Sequence, residues 1–73
     1  MAEVTVRSEL NAIVWQIEVA AGASVNAGDT LIILEVMKME IPVAAPRAGT
    51  VKALLVQQQQ QVTEGQALVI LQF

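Results

Sequence analysis

Few residues of this chain could do chemistry, and Lys38 is the one whose setting singles it out. The 73-residue sequence has no histidine and no cysteine. That removes the commonest general base, the commonest transition-metal ligand and all thiol chemistry. The hydroxyls belong to threonines and to Ser8 and Ser24, with nothing recognisable to activate them. Catalysis by the chain alone is not expected, and neither catalytic residues nor metal ligands are assigned. Two side-chain amines remain, Lys38 and Lys52. Lys38 crowns an apolar run in Leu31-Ile32-Ile33-Leu34-Glu35-Val36-Met37-Lys38-Met39-Glu40, between two methionines and two glutamates. An ammonium there needs a buried partner or a turn that carries it to water. Lysine is almost never fully buried, so the pattern predicts a turn. The plain alternative is a surface lysine on an ordinary hairpin, with the methionines as core filler.

The elements that must position this lysine read as strands. Glu3 to Arg7 alternates apolar and polar, as a half-buried strand does. Ser8 to Asn11 is a connection, and Ala12 to Val19, rich in β-branched residues, is a second strand. Ala20 to Asp29 is a loop, punctuated by Gly22, Asn26 and Gly28, with one short strand near Val25. Thr30 to Val36 is a buried strand by its apolar content. Ile41 to Val43 resumes in extended form, and Pro42 confines it to an edge or an unpaired position. Val51 to Val56, a short piece near Val62, and Ala67 to Phe73 complete an all-β chain.

Composition sets the outer limits. Seventy-three residues make one domain, residues 1–73, near the lower limit for a self-sufficient core. Hydrophobic residues make up 55% of the chain and only Trp15 and Phe73 are aromatic, so Val, Ile, Leu and Ala must build that core. The net charge is −3, and the four basic residues, Arg7, Lys38, Arg47 and Lys52, are scattered. No basic stripe exists to neutralise phosphates, which argues against a nucleic-acid partner. No apolar run approaches the ~20 residues that span a bilayer, and the start lacks the basic and apolar regions of a signal peptide. The expectation is a soluble, cytoplasmic domain with no membrane partner. Met1, directly before the first strand, favours a free chain.

The sequence also repeats. A shift of thirty-seven residues lays Val14 on Val51, Val19 on Val56, Val25 on Val62, Gly28 on Gly65, and Leu31, Ile33 and Leu34 on Leu68, Ile70 and Leu71, without a gap. Neither half can bury its apolar face alone, so the two must pack on each other. The expected architecture is a flattened sandwich or barrel of about eight short strands with approximate two-fold symmetry. Apolar positions shared by both copies at Val14/Val51, Ile17/Leu54 and Val19/Val56 break the period of two, which predicts a bulge after Val14 and puts Trp15, the partner of Lys52, at the rim. Lys38 falls at the join of the copies, far from the chain ends.

Val36-Met37-Lys38-Met39-Glu40 closely resembles the biotin-attachment motif of biotin carboxyl carrier proteins, in the biotin/lipoyl attachment family. The resemblance covers essentially the whole chain, with further signatures at Ala45-Pro46-Arg47-Ala48-Gly49-Thr50-Val51 and Val62-Thr63-Glu64-Gly65-Gln66-Ala67-Leu68. Lys38 lies thirty-five residues before Phe73, the spacing the family shows. The resemblance implies a barrel-sandwich hybrid of two four-stranded halves, with the modified lysine on an exposed β-hairpin. It implies a non-catalytic carrier: a biotin protein ligase joins biotin to Lys38 through an amide, a biotin carboxylase loads a carboxyl group on the ring's ureido nitrogen, and a carboxyltransferase receives it, in a carboxylase of the acyl-CoA type. Met37 and Met39 would be read by the ligase and the partner enzymes, with Val36, Glu35 and Glu40 shaping the hairpin. Tethering raises the effective concentration of the cofactor at both partner sites.

The chain departs from the family pattern in places. Val36 stands where alanine is usual, and Ala12 where glycine is usual, a change the adjacent Asn11 is expected to offset. Gln57 to Gln61 replaces a common Gly-Asp pair and reads as a solvated loop, with Gln59 at the place of Gly22 and so in a turn position that prefers positive φ. The stretch from Ala20 to Ser24 is too short for the "thumb" of some carriers. The rival readings are a lipoyl carrier domain, whose lysine usually follows aspartate, a carrier for a decarboxylase or transcarboxylase, and an interaction module whose lysine is never modified.

Overall fold

Two long apolar runs, one in each copy of the repeat, become the inner strands of two sheets. The computed structural model describes residues 2–73 as β1 (Glu3–Arg7), β2 (Ala12–Ile17), β3 (Ser24–Val25), β4 (Thr30–Val36), β5 (Met39–Ala44), β6 (Gly49–Leu54), β7 (Gln61–Val62) and β8 (Ala67–Gln72), with no helix among them. The sheets are antiparallel and four-stranded, ordered β1-β8-β6-β3 and β5-β4-β2-β7. A shift of thirty-seven residues turns one order into the other, so the repeat includes β1 and β5, where Thr5 matches Pro42 and Arg7 matches Ala44. Their unlike side chains conceal that part of the repeat in the sequence.

The core lies between the sheets. Leu31, Ile32 and Leu34 of β4 and Leu68, Val69 and Leu71 of β8 are fully buried, with Val14 and Val51 beside them. Consecutive residues can both point inward because the register between β4 and β5 skips Leu31, and that between β8 and β1 skips Leu68. The bulge expected after Val14 is present: the β2–β4 register passes from Val14 to Gln16 and leaves Trp15 half-buried and unpaired, and the β6–β8 register passes from Val51 to Ala53 over Lys52.

The two copies are tied by hydrogen bonds that each turn makes to the other copy. Gly28 N donates to Ala45 O at 2.9 Å, and its counterpart Gly65 N donates to Ser8 O at 2.7 Å. Both turns are closed in the same way, by Asn26 N on Asp29 Oδ2 at 2.8 Å and by Thr63 N on Gln66 Oε1 at 3.0 Å. These bonds explain physically why a half could not stand alone. Each half lacks the acceptors that its own turn requires.

Several boundaries differ from the sequence reading. β2 ends at Ile17 and not Val19, and β6 spans Gly49–Leu54 in place of Val51 to Val56. Beyond each strand one more backbone bond holds the chain, Glu18 N to Leu31 O and Leu55 N to Leu68 O, both 2.9 Å, before it turns away. β5 is longer than expected, and Pro42 sits on the edge strand opposite Ile33. Gln61 belongs to β7, paired with Ile13, and not to a loop. Gln59 has φ 72°, as its place opposite Gly22 (φ 92°) predicts. Asn11 does not stand in for a missing glycine through its backbone, since neither it nor Ala12 has positive φ. Its Oδ1 instead accepts from Glu64 N at 2.8 Å.

Candidate functional site

β4 and β5 close through two residues, Met37 and Lys38, between the paired Val36 and Met39. Both turn residues have positive φ, 52° and 65°. That is the requirement of a type I′ turn, whose twist matches the flanking strands. Asparagine and glycine usually fill such turns, and an ordinary side chain there costs about 1–2 kcal/mol. Local backbone preference therefore does not explain Met37-Lys38, and strain retained at a surface tip points to a role for the side chains themselves.

Those side chains stand clear of the protein. Met37 is 88% exposed and Met39 57%, which rules out the methionines as core filler. Lys38 is exposed and makes no hydrogen bond or ion pair among the described residues. The other lysine contrasts with it: Lys52 lies in the bulge of β6 and pairs with Glu3. One rung below the turn, Val36 is half-buried against the core, and the next rung sets Glu35 directly opposite Glu40 with no cation bound to either among the described residues. Like charges directly opposite each other are destabilising. All six residues singled out in the sequence, Glu35, Val36, Met37, Lys38, Met39 and Glu40, thus share one hairpin.

The hairpin projects from one end of a body measuring 37 × 18 × 17 Å. At the equivalent place in the repeat, Ala2 and Phe73 exchange two backbone hydrogen bonds of 2.9 Å. β1 runs from that pair to Arg7, and Ser8 to Asn11 then crosses to the start of β2 beside Glu35. The tip and the chain ends therefore lie at opposite ends. Beside the hairpin is a groove of about 420 Å³, lined among others by Asn11, Ile13, Glu35, Val36, Gln61 and Thr63. The sequence reading missed it. Its one signal was Ile13, an apolar residue where the repeat has Thr50.

Comparison with known proteins agrees with this geometry. The family described as "Biotin-requiring enzyme" matches residues 2–71. The biotin/lipoyl attachment protein of Bacillus subtilis is 39% identical over 64 residues, covering 88% of each chain. A homologue of the biotinylated protein TB7.3 from Mycobacterium leprae is 48% identical over 56 residues, 77% of this chain and 78% of that one. Among solved structures, urea carboxylase of Kluyveromyces lactis superimposes with a TM-score of 0.90 at 31% identity, over 97% of this chain but only 6% of the enzyme. Fold, hairpin and relatives agree, and the chain belongs to the biotin/lipoyl attachment family as a biotinyl domain.

Proposed function

We propose that the chain is a biotin carboxyl carrier, with biotin joined to Nζ of Lys38. The observation that carries this reading is the partner-free amine of Lys38 at the apex of a two-residue turn, with Met37 and Met39 exposed on either side. The residues fit the group. Amide formation needs a primary amine that an enzyme can approach, and it removes a charge that no neighbouring ion pair requires. Once bound, biotin supplies a ureido nitrogen able to accept and release a carboxyl group. The chain's own part is to hold the amine away from the body, present the methionine flanks to a biotin protein ligase, and let the tip enter a biotin carboxylase and then a carboxyltransferase. The relatives support a carboxylase setting, and the acyl-CoA type and a cytoplasmic location complete the proposal.

Co-expression with a biotin protein ligase tests it. Intact mass should rise by one biotin per chain, and Lys38→Arg should abolish the gain although Lys52 remains. Label retained in that variant would place the site elsewhere, and a mass gain of one lipoyl group would favour the lipoyl reading. Position is tested by exchanging Met37 with Lys38, or Lys38 with Met39. Successive side chains near a tip point in opposite directions, and a misplacement of ~1 Å can cost ~100-fold in rate. Both exchanged proteins should fold like the parent by circular dichroism and take up little biotin. Uptake near the parental rate would show that position on the hairpin is not what the ligase reads.

A further inference from the structure

We infer that the groove beside the hairpin is a resting site for the bicyclic ring of the biotin that the same chain carries. This rests on the carrier reading above and adds a binding site on the protein's own surface. Its first support is reach. Glu35, Ile13 and Gln61 lie directly opposite one another across β4, β2 and β7, forming one row beneath the turn. Glu35 pairs with Glu40, two residues from Lys38 on β5, so the row lies ~7 Å below the turn, and each of the two strands crossed to Ile13 adds ~4.8 Å. A lysine extended by the biotin side chain has roughly eleven bonds from Cα to the ring, advancing ~1.25 Å each, or ~14 Å in all. The ring therefore comes down over Ile13. It cannot reach the far end of a body 37 Å long.

The second support is chemistry. The ring is apolar on its faces and carries a ureido group with two N–H donors and one carbonyl acceptor. Ile13 is 37% exposed and offers an apolar seat in the outward row that it shares with Glu35 and Gln61. Asn11 accepts from Glu64 N through Oδ1 at 2.8 Å, which orients its amide and leaves the NH₂ group to donate to a ureido carbonyl. Glu35 and Thr63 line the same groove, and a carboxylate and a hydroxyl are groups that accept from ureido N–H. The volume, about 420 Å³, falls within the ~300–1,000 Å³ usual for small-molecule sites.

The third support is the opposite end of the molecule, where the repeat supplies a natural control. The equivalents of Ile13, Glu35 and Val36 there are Thr50, Gln72 and Phe73, and the guanidinium of Arg47 lies 3.4 Å from the centre of the Phe73 ring. Phe73 is as exposed as Ile13, at 37%, but lies under Arg47, and the row that holds apolar Ile13 beside Glu35 holds polar Thr50 and uncharged Gln72 at that end.

The test compares the chain before and after biotinylation by NMR, with intact mass measured first. Binding in the groove should shift the amides of Asn11, Ile13 and Gln61 to Thr63 and give nuclear Overhauser contacts from ring protons to the methyls of Ile13. Ile13→Ser, at a position already part-exposed, should erase those contacts. In that variant, biotinylated to completion, capture by streptavidin should be about threefold faster, as expected if a docked fraction near two-thirds is set free. Mass gain with shifts confined to residues 36 to 40, or capture no faster in Ile13→Ser, would overturn the resting site and leave the carrier reading intact. No mass gain on co-expression with ligase would overturn both.

Discussion

The two halves of this protein share a backbone plan and differ at their ends. Each turn at Gly28 and Gly65, each bulge at Trp15 and Lys52, and each tight position at Gly22 and Gln59 has its counterpart thirty-seven residues away. The differences gather at the two ends. One end ties Ala2 to Phe73, pairs Glu3 with Lys52 and stacks Arg47 on Phe73. The other carries a turn with two non-glycine residues at positive φ, two facing glutamates and a lysine without a partner among the described residues. The end that closes the chain obeys the local rules of stable structure, and the end that presents Lys38 breaks two of them. Such departures are expected to collect at functional sites.

If the halves are energetically equivalent away from their ends, matched core truncations should cost the same. Leu34 and Leu71 occupy equivalent, fully buried positions. Leu34→Ala and Leu71→Ala should each lose about 2–5 kcal/mol, a large part of the ~4–11 kcal/mol a domain of this size commands. Urea unfolding of both variants checks this. A difference above ~2 kcal/mol would mean that one half carries the core and the repeat is only geometric.

Gly49 and Ala12 sharpen the comparison. A Cβ built on Gly49 would lie 2.7 Å from the carbonyl oxygen of Gln72, and a backbone atom cannot swing aside. Ala12 carries that Cβ, so the same close approach cannot exist at the lysine end, where Ala12 and Glu35 instead line the groove. Gly49→Ala should destabilise by about 1–3 kcal/mol, and Ala12→Gly by only about 0.5–1 kcal/mol. Equal effects would show that both ends are packed alike.

A smaller effect with opposite signs is expected at Gly22 and Gln59. No atom lies within 4 Å of a Cβ on Gly22, so the cost of Gly22→Ala is that of its backbone conformation, φ 92°, about 1 kcal/mol. Gln59 already bears that cost at φ 72°. Gln59→Gly should therefore raise the thermal midpoint by several degrees, at ~4–8 °C per kcal/mol in a domain this small, reduced by glycine's greater freedom in the unfolded chain. A midpoint that falls would show that the glutamine loop relaxes into an ordinary conformation in solution.

Much of this was legible in the sequence because gapless apolar periodicity is a direct record of burial. The repeat at Val14/Val51 and Leu34/Leu71 yielded two packed halves, and the broken period after Val14 yielded the bulge. Gln59 at the place of Gly22 yielded its positive φ. The relation of β1 to β5 was not legible, because edge strands tolerate Thr5, Arg7, Pro42 and Ala44 alike. The groove was hidden for a different reason. It joins Ile13, Glu35 and Gln61 through strand register, and register between β2, β4 and β7 is a tertiary fact that no local pattern records.

The smallest expected effects concern charge at the two ends. Glu3 is paired with Lys52, both partly exposed at 41% and 49%, and an exposed pair contributes ~0.2–1 kcal/mol at most. Lys52→Ala should lower stability within that range, with the loss shrinking as salt screens the pair. The repeat places Glu40 where Glu3 stands and Trp15 where Lys52 stands, so the lysine end has the acid without its base, and adds Glu35 across the ladder. Glu40→Gln removes one of two facing carboxylates and should stabilise by ~0.2–1 kcal/mol, again less at high salt. Measured by thermal unfolding at low and high salt, the two substitutions should move in opposite directions and converge toward the parent together. If Glu40→Gln destabilises, then Glu40 has an attractive partner, and the nearest free cation on the hairpin is Lys38. In that case amide formation at Lys38 would remove a stabilising contact, and the biotinylated chain should unfold at a lower temperature than the unmodified one. If Glu40→Gln stabilises, Lys38 does not offset the acid pair, and the lysine end keeps a repulsion that the other end, where Glu3 faces Gln72, lacks.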